Sequence, residues 1–311
     1  MGNKVASTED KATILFSFVK PRAFWNFVAG YGFVLPALVL IVAFIFVPAI
    51  YGFLISFTRW DMMSPTRTFV GLSNYYSLLK STDFYHSLFV TLYYLVGTIP
   101  FTMALGLGLA VALNRKFPGV TFFRLVYYSP VVTSTVAMGV VWLWMYDPIN
   151  GIINYLLLQL GLPPQKWVSS PSTAMPSLII MDIWKHVGYD MIIFLAGLQS
   201  IPHHLYEAMD VDGGGRWAKF RLVTWPLLAP TTFFILVISI INRFKIFATV
   251  HTMTKGGPAN ATEVIVYFLY KQAFQYFKIG YAFAIAYILF VIIFALTLAQ
   301  WKIGKQKIHY Q

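Results

Sequence analysis

Only 11% of the 311 residues are charged, so polar groups inside apolar runs are the first candidates for chemistry. One run, "PSLIIMDIWKHVGYDMIIFLAGLQSIP", carries Asp182, Lys185, His186, Tyr189 and Asp190 at three- and four-residue spacing, which places them along one helix face. A second run ends in Asn242, Arg243 and Lys245. Ionisable groups in such runs relay protons, neutralise one another, or line a path for a polar solute. Two pairings are open: Asp182 with Lys185, and Asp190 with Arg243 or Lys245. Arg243 and Lys245 are also long enough to snorkel outward.

A third cluster, His203, His204, Glu207 and Asp210, has metal-ligand residue types, but its order does not match a zinc-protease helix. Asp182 and Asp190 lie too far apart along one helix to share a proton as an acid pair does. There is no cysteine, which excludes a thiolate nucleophile, a disulfide and cysteine-ligated metal. "GGGR" lacks the lysine and the Ser or Thr that a phosphate-cradling loop needs after its glycines, so the chain itself is not expected to bind ATP.

The elements that must hold these groups are membrane spans. A chain that is 58% hydrophobic and 18% aromatic has too little polar surface for a soluble domain of this size. The net charge of +12 does not imply nucleic acid, because no soluble domain with a basic stripe is visible. The first thirty residues have an apolar piece broken by Lys20, Pro21 and Arg22. They read as a tail ending in an interfacial segment around Phe24, Trp25 and Phe27 rather than as a cleaved signal.

A span needs roughly 20 apolar residues. Six windows qualify: 31–57, 87–113, 122–146, 174–200, 227–250 and 281–301. The expected fold is therefore an all-α integral membrane protein with six transmembrane helices, a tail over 1–30 and a transmembrane domain over 31–311. No internal repeat is evident. With both termini in the cytoplasm, thirteen Lys and Arg fall in inside segments and seven in outside loops, which obeys the positive-inside rule. In that orientation the groups around Asp182 and Arg243 fall at one level in the outer half of the bilayer. The polar segment 202–230 faces the cytoplasm between spans four and five.

That segment has a readable physical order. "HHLYEAMDVD" suits a short helix, with Leu205, Ala208 and Met209 as an apolar stripe and Glu207 and Asp210 off it. "GGG" ends the helix, since glycine tolerates the left-handed backbone just past a helix end. "RWAKFRLVTWPLLAP" then lies along the interface through Trp217, Phe220 and Trp225. A short helix presented by a tight turn suits a partner's groove, and an ordinary connecting loop has the same composition.

The residue order of "EAMDVDGGGRWAKFRLVTWPLLAP" closely resembles the cytoplasmic EAA signature of ABC-importer permeases. Glu207, Ala208, Asp212, Gly213, Trp217, Phe220, Pro226 and Pro230 occupy its places, while Met209 and Gly214 stand where the signature prefers alanine. "FVGLSNYYSLL", "DPINGIINYLL", "WKHVGYDMIIFLAGLQSIP" and "TKGGPANAT" resemble the carbohydrate-uptake branch, of the maltose and glycerol-phosphate type, and the first of its two permeases.

The resemblance implies an importer half in a bacterial or archaeal plasma (inner) membrane. It implies a second permease, two ATP-binding subunits that use ATP and Mg, and an extracytoplasmic substrate-binding protein. It also implies a coupling helix within a loop at about 202–226, with Glu207, Ala208, Asp210, Asp212 and Gly213 meeting the ATPase. Asp182, Trp184, Lys185, Tyr189, Asn242 and Arg243 are then the candidates for a sugar or polyol pathway, with structural pairing as the equal alternative. A proton-coupled secondary transporter is the rival class, because span four carries Asp and His.

Overall fold

The computed structural model describes residues 21–61, 66–115 and 117–307; the side chains of 21–27, 29, 303 and 305–307 are not described. The reading of residues 1–20 as a tail therefore lies outside the described residues. The chain divides into two compact units at Ile55 and Ser56.

The first unit is one helical run: α1 (Pro21–Ile41), a wide π turn (Val42–Phe46), and α2 (Val47–Ser56). The π turn ends two residues before Pro48, which has no N–H to continue an ordinary helical ladder. The 27 residues Gly30–Ser56 are long and apolar enough to cross a membrane, and their apolar side chains are largely exposed.

The second unit opens with a two-stranded antiparallel ribbon, β1 (Thr58–Arg59) against β2 (Thr68–Phe69), followed by α3 (Ser73–Leu79). Asn74 fastens the start of α3 to the ribbon, donating to the carbonyls of Ser56 and Thr58 at 2.8 and 2.9 Å. The centre of the unit is a pair of long helices, α4 (Thr82–Leu113) and α8 (Pro171–Gln199). They run parallel: Gly97 of α4 faces Ile179, and Gly106 faces Asp190 and Met191. A Cβ on Gly106 would lie 2.8 Å from Asp190 Cβ and 3.1 Å from the Met191 nitrogen, so glycine permits this close approach. Thr91, Thr98 and Thr102 of α4 are buried, and each hydroxyl donates to a carbonyl four residues back, so no donor is left bare in an apolar setting.

The third window, 122–146, is not one helix. It is α5 (Val120–Val132) and α6 (Thr135–Met145), bent by 99° at Thr133 and Ser134. α5 packs antiparallel on α8 where Gly188 meets the Tyr127 carbonyl, a spot with no room for a Cβ. The loop after α6 carries α7 (Ile152–Gln159) and a short 3₁₀ turn (Trp167–Ser169). It is organised by buried Asn154, whose amide donates to the carbonyls of Pro148 and Gln165. Its oxygen accepts from the Gln165 nitrogen and Trp167 Nε1.

After α8 come α9 (His203–Val211), α10 (Arg216–Lys219), a π turn (Phe220–Thr224) and α11 (Trp225–Leu227). This π turn also ends two residues before a proline, Pro226. A 59° bend leads into α12 (Ala229–Phe244), which returns antiparallel along α8. The fifth window, 227–250, is shorter in the structure: α12 stops at Phe244, and a break precedes α13 (Ala248–Met253). α14 (Ile265–Tyr270), a third π turn (Lys271–Gln275) and α15 (Ile279–Lys307) complete the chain.

Among the described residues, Gly30–Ser56, α4 and α15 qualify as spans by length and apolarity, and five do if each bent pair is one span. α8 has spanning length, 29 residues, but its middle is polar, with Asp182, Lys185, His186 and Asp190.

Candidate functional site

The polar face of α8 meets α12 and α4 in a buried cluster. Arg243 Nε donates to Asp182 Oδ2 at 3.0 Å, and an Arg243 terminal nitrogen donates to Thr102 Oγ1 at 3.2 Å. Asp182 and Arg243 are both under a tenth exposed. His186 Nδ1 lies 3.0 Å from Asp182 Oδ1. The ion pair is thus Asp182 with Arg243, not Asp182 with Lys185. α8 and α12 run antiparallel, so carboxylate and guanidinium meet side-on at the same depth. Arg243 is drawn into the protein rather than outward.

Lys185 points elsewhere. Its ammonium is buried and donates to the carbonyls of Pro130 and Thr133, at 3.0 and 2.7 Å. Those carbonyls belong to the break between α5 and α6, where a helix end leaves acceptors without intrahelical donors. Lys185 therefore ties α8 to the bend between α5 and α6. Trp184 packs edge-on against Trp142, with ring centroids 5.5 Å apart.

Beside the ion pair lies a cavity of about 410 Å³. Asp182, Tyr189, Asn242 and Arg243 line it, whereas Trp184 and Lys185 do not. His186, Asp190, Ser239, Lys245 and Thr249 complete much of its polar wall. Asp190 is 1% exposed and its Oδ2 has no hydrogen-bond partner; Arg243 pairs with Asp182 instead, and among the described residues no ion pair joins Asp190 to Arg243 or Lys245. Sequence reasoning missed Thr102 and Ser239. The signal for Thr102 was a hydroxyl recurring four residues after Thr98 within an apolar run. The site has the size and mixed lining of a small-ligand pocket.

The second candidate is the segment after α8. α9 ends as glycine chemistry requires: Gly213 has φ +72°, Gly214 N–H donates to the Met209 carbonyl at 2.7 Å, and Gly213 N–H to that of Asp210 at 3.1 Å. This double bond pattern is the Schellman closure. Leu205, Tyr206 and Met209 are half-buried, and the Tyr206 hydroxyl meets Thr224 Oγ1 at 3.0 Å. Ala208 does not share that face: it is exposed, with His204, Glu207, Val211 and Asp212. On the helix this is the i, i+3, i+4, i+7 set starting at His204, a continuous outward strip. Lys219 forms an ion pair with Asp210 and tethers α10 to α9. Glu207 has only its own-helix neighbour, His203, at 2.9 Å.

At the chain's other polar loop, buried Glu263 pairs with Lys271 at 3.0 Å. Burial alone would lower the Lys271 pKa, but the hydrogen bond and charge of Glu263 raise it above the ordinary lysine value. No group of three or more His, Asp or Glu side chains able to hold a metal ion occurs among the described residues. His203, His204, Glu207 and Asp210 therefore do not converge on one.

Residues 104–303 match the family described as "Binding-protein-dependent transport system inner membrane component". The chain is 35% identical over 288 residues to an sn-glycerol-3-phosphate transport system permease protein of Brucella suis, covering 92% of this chain and 98% of that one. It is 33% identical over 279 residues to a trehalose/maltose transport system permease protein of Thermococcus litoralis, covering 89% and 93%. In fold it is similar to a chain of a bacterial ABC transporter involved in import of the acidic polysaccharide alginate. The TM-score is 0.80 at 23% identity, over 91% of this chain and 99% of that one.

Proposed function

The chain belongs to the binding-protein-dependent transport system inner membrane component family, and on that premise we propose how its parts carry out transport. It is one permease subunit of an ATP-driven importer for a sugar or related polyol, and it forms half of the translocation pathway. A second permease supplies the other half. Two ATP-binding subunits, which use ATP and Mg, dock from the cytoplasm, and an extracytoplasmic binding protein delivers substrate.

Six spans cross the membrane, with α8 and the two bent pairs among them, and both termini are cytoplasmic. The tail over 1–30 precedes the permease domain. The parallel course of α4 and α8 supports this topology, because spans two and four must run the same way. Family membership favours this reading over a proton-coupled secondary transporter.

One observation carries the coupling assignment: the exposed strip through Glu207, Ala208 and Val211, held rigid by the closure at Gly213. Ordinary connecting loops have no need of a helix whose outer face is bare while its inner face is pinned by Tyr206 and by the Lys219 bridge to Asp210. Glu207, Ala208, Asp210, Asp212 and Gly213 are the coupling residues. Force on α9 passes through the α10–α11 run into α12, and through Pro202 into α8. Both helices line the cavity, so ATPase closure changes its shape by rigid-body motion.

The test is co-purification. The carboxyl terminus is tagged, membranes are gently solubilised, and partners are identified by mass spectrometry from wild type and from a Glu207→Lys, Gly213→Pro variant. Proline, locked near φ −65°, cannot take the Gly213 conformation. The expected result is an ATP-binding subunit and a second permease with wild type, with the ATPase lost from the variant. Recovery of the chain alone from wild type would overturn the proposal.

A further inference from the structure

Away from the α8–α12 cavity, two pockets adjoin at one end of the second unit and share Trp60 as a wall. The first, about 640 Å³, is polar and charged, with Arg59, Asp61, Asp83 and Lys278 among its lining. The second, about 350 Å³, has apolar walls throughout. From α15 it takes Ile279, Ala282, Phe283 and Ala286, the i, i+3, i+4, i+7 strip of one helix face. We propose that the two pockets together hold one phospholipid with a primary-amine headgroup, its phosphoethanolamine in the polar pocket and an acyl chain along α15.

Position is the first argument. Two helices that qualify as spans start here, α4 at Thr82 and α15 at Ile279. The polar pocket is built from residues at and just before those starts, which is headgroup level. The apolar strip then follows α15 to Ala286, about 10 Å into the span at 1.5 Å per residue. Trp60, Tyr276 and Tyr281 line the polar pocket, and such aromatic groups suit a membrane interface.

The walls are also fixed in place. The Ile279 N–H donates to the Trp60 carbonyl at 3.0 Å, and a Cβ on Gly280 would overlap the Thr58 carbonyl, so the start of α15 is locked to the ribbon. Arg67 lies over the Trp60 ring, 4.0 Å from its centroid, and steadies the indole between the pockets.

Charge then selects the headgroup. Two cations and two carboxylates line the polar pocket, a neutral sum that suits a phosphate joined to an ammonium. Among the described residues, the side chains of Arg59 and Lys278 have no hydrogen-bond or ion-pair partner, which leaves both for phosphate oxygens. Asp83, in the first turn of α4, supplies an acceptor for the N–H donors of a primary ammonium. A helix of a partner subunit would fill the apolar groove but bring no phosphate to Arg59 and Lys278. A soluble phosphate would leave the groove bare.

The experiment uses the transporter co-purified through this chain with its natural partners, stripped of lipid in detergent. It is titrated with dioleoyl phosphatidylethanolamine, phosphatidylcholine or phosphatidylglycerol, and with glycerophosphoethanolamine, which has the headgroup and no chains. Apparent affinity is read from the rise in Tm, and bound lipid by native mass spectrometry. Phosphatidylethanolamine should bind about tenfold tighter than the other two lipids, the scale of one charge-assisted hydrogen bond, and the chainless headgroup should have no effect. Asp83→Asn should level the preference over phosphatidylcholine. Arg59→Gln with Lys278→Gln should weaken phosphatidylethanolamine about tenfold, and Ala286→Phe, at a half-buried position, should block the groove to every lipid.

Equal binding of the three lipids to wild type would overturn the proposal and leave only an unselective lipid contact. So would unchanged binding in Ala286→Phe, or an equal response to the chainless headgroup. No lipid bound to the assembled wild type would also overturn it, with the face covered by the second permease. If a variant does not assemble, the wild-type comparison of lipids decides alone. Lipid binding is read without ATP or substrate, so each of these outcomes is separate from that of the coupling test.

Discussion

Two polar regions of this chain, the Asp182–Arg243 cluster and the Glu207 strip, use the same residue types to opposite ends. In the first, carboxylate, guanidinium and hydroxyl are sealed between three helices and satisfy one another. In the second, Glu207 and His203 stand in the open, with side chains 66% and 85% exposed. Removing one partner from a buried pair strands the other charge, whereas an exposed pair contributes little because water replaces it. The difference teaches that charge inside the helix bundle fixes geometry, while charge on α9 is free to be recognised.

The comparison breaks most readily at its buried end. Arg243→Ala leaves buried Asp182 with His186 as its one remaining ion-pair partner and removes the donor to Thr102. It is expected to cost about 3 kcal/mol, the lower end of the scale for breaking a buried ion pair, because His186 stays beside Asp182. Thermal unfolding of the purified chain in detergent should show a large drop in Tm, and Asp182→Asn combined with Arg243→Gln should recover much of it. A double variant as unstable as Arg243→Ala would show that packing, not charge, holds α8 to α12.

Lys185→Met comes next. It leaves the Thr133 carbonyl without its donor, while the Pro130 carbonyl keeps the Thr133 hydroxyl at 2.6 Å, so the expected cost is about 1–3 kcal/mol for one unsatisfied buried acceptor. The loss should appear as faster protease cutting at the α5–α6 break, while substrate discrimination is retained. Altered discrimination would return Lys185 to the pathway.

Glu207→Gln is the smallest perturbation. It should shift stability by less than about 1 kcal/mol, because the pair it removes is exposed. The same variant should weaken ATPase retention on the affinity column. An unfolding shift as large as that of Arg243→Ala would erase the contrast between the two regions.

Much of this was legible from residue order. Three- and four-residue spacing put Asp182, Lys185, His186 and Asp190 on one face, and depth counting put Arg243 near them, but neither picked out Asp182 as the partner that Arg243 meets at 3.0 Å. Glycines at 213 to 215 marked the end of α9, and Gly213 has the left-handed backbone that such an end requires. The bend in window 122–146 was hidden, because the small hydroxyl residues Thr133, Ser134 and Thr135 are tolerated inside a span and do not by themselves mark a break. Only Pro130 and the polar Thr133–Ser134 pair hinted at it. Ala208 was misplaced by one step around a short helix, since a stripe of three small contacts does not define which edge is packed.

Composition and the ordered signature from Glu207 to Pro230 were enough to establish a membrane chain and its family. Those properties reside in local pattern, because hydrophobic length and turn chemistry are read a few residues at a time. The choice of partner for each buried charge was a tertiary decision. Lys185, three residues from Asp182, answers to a broken helix more than 50 positions upstream. Arg243, 61 positions away, takes the place Lys185 was offered. In a low-dielectric interior each charge goes to whichever acceptor the packing leaves unsatisfied, and only the folded arrangement of helices creates those acceptors.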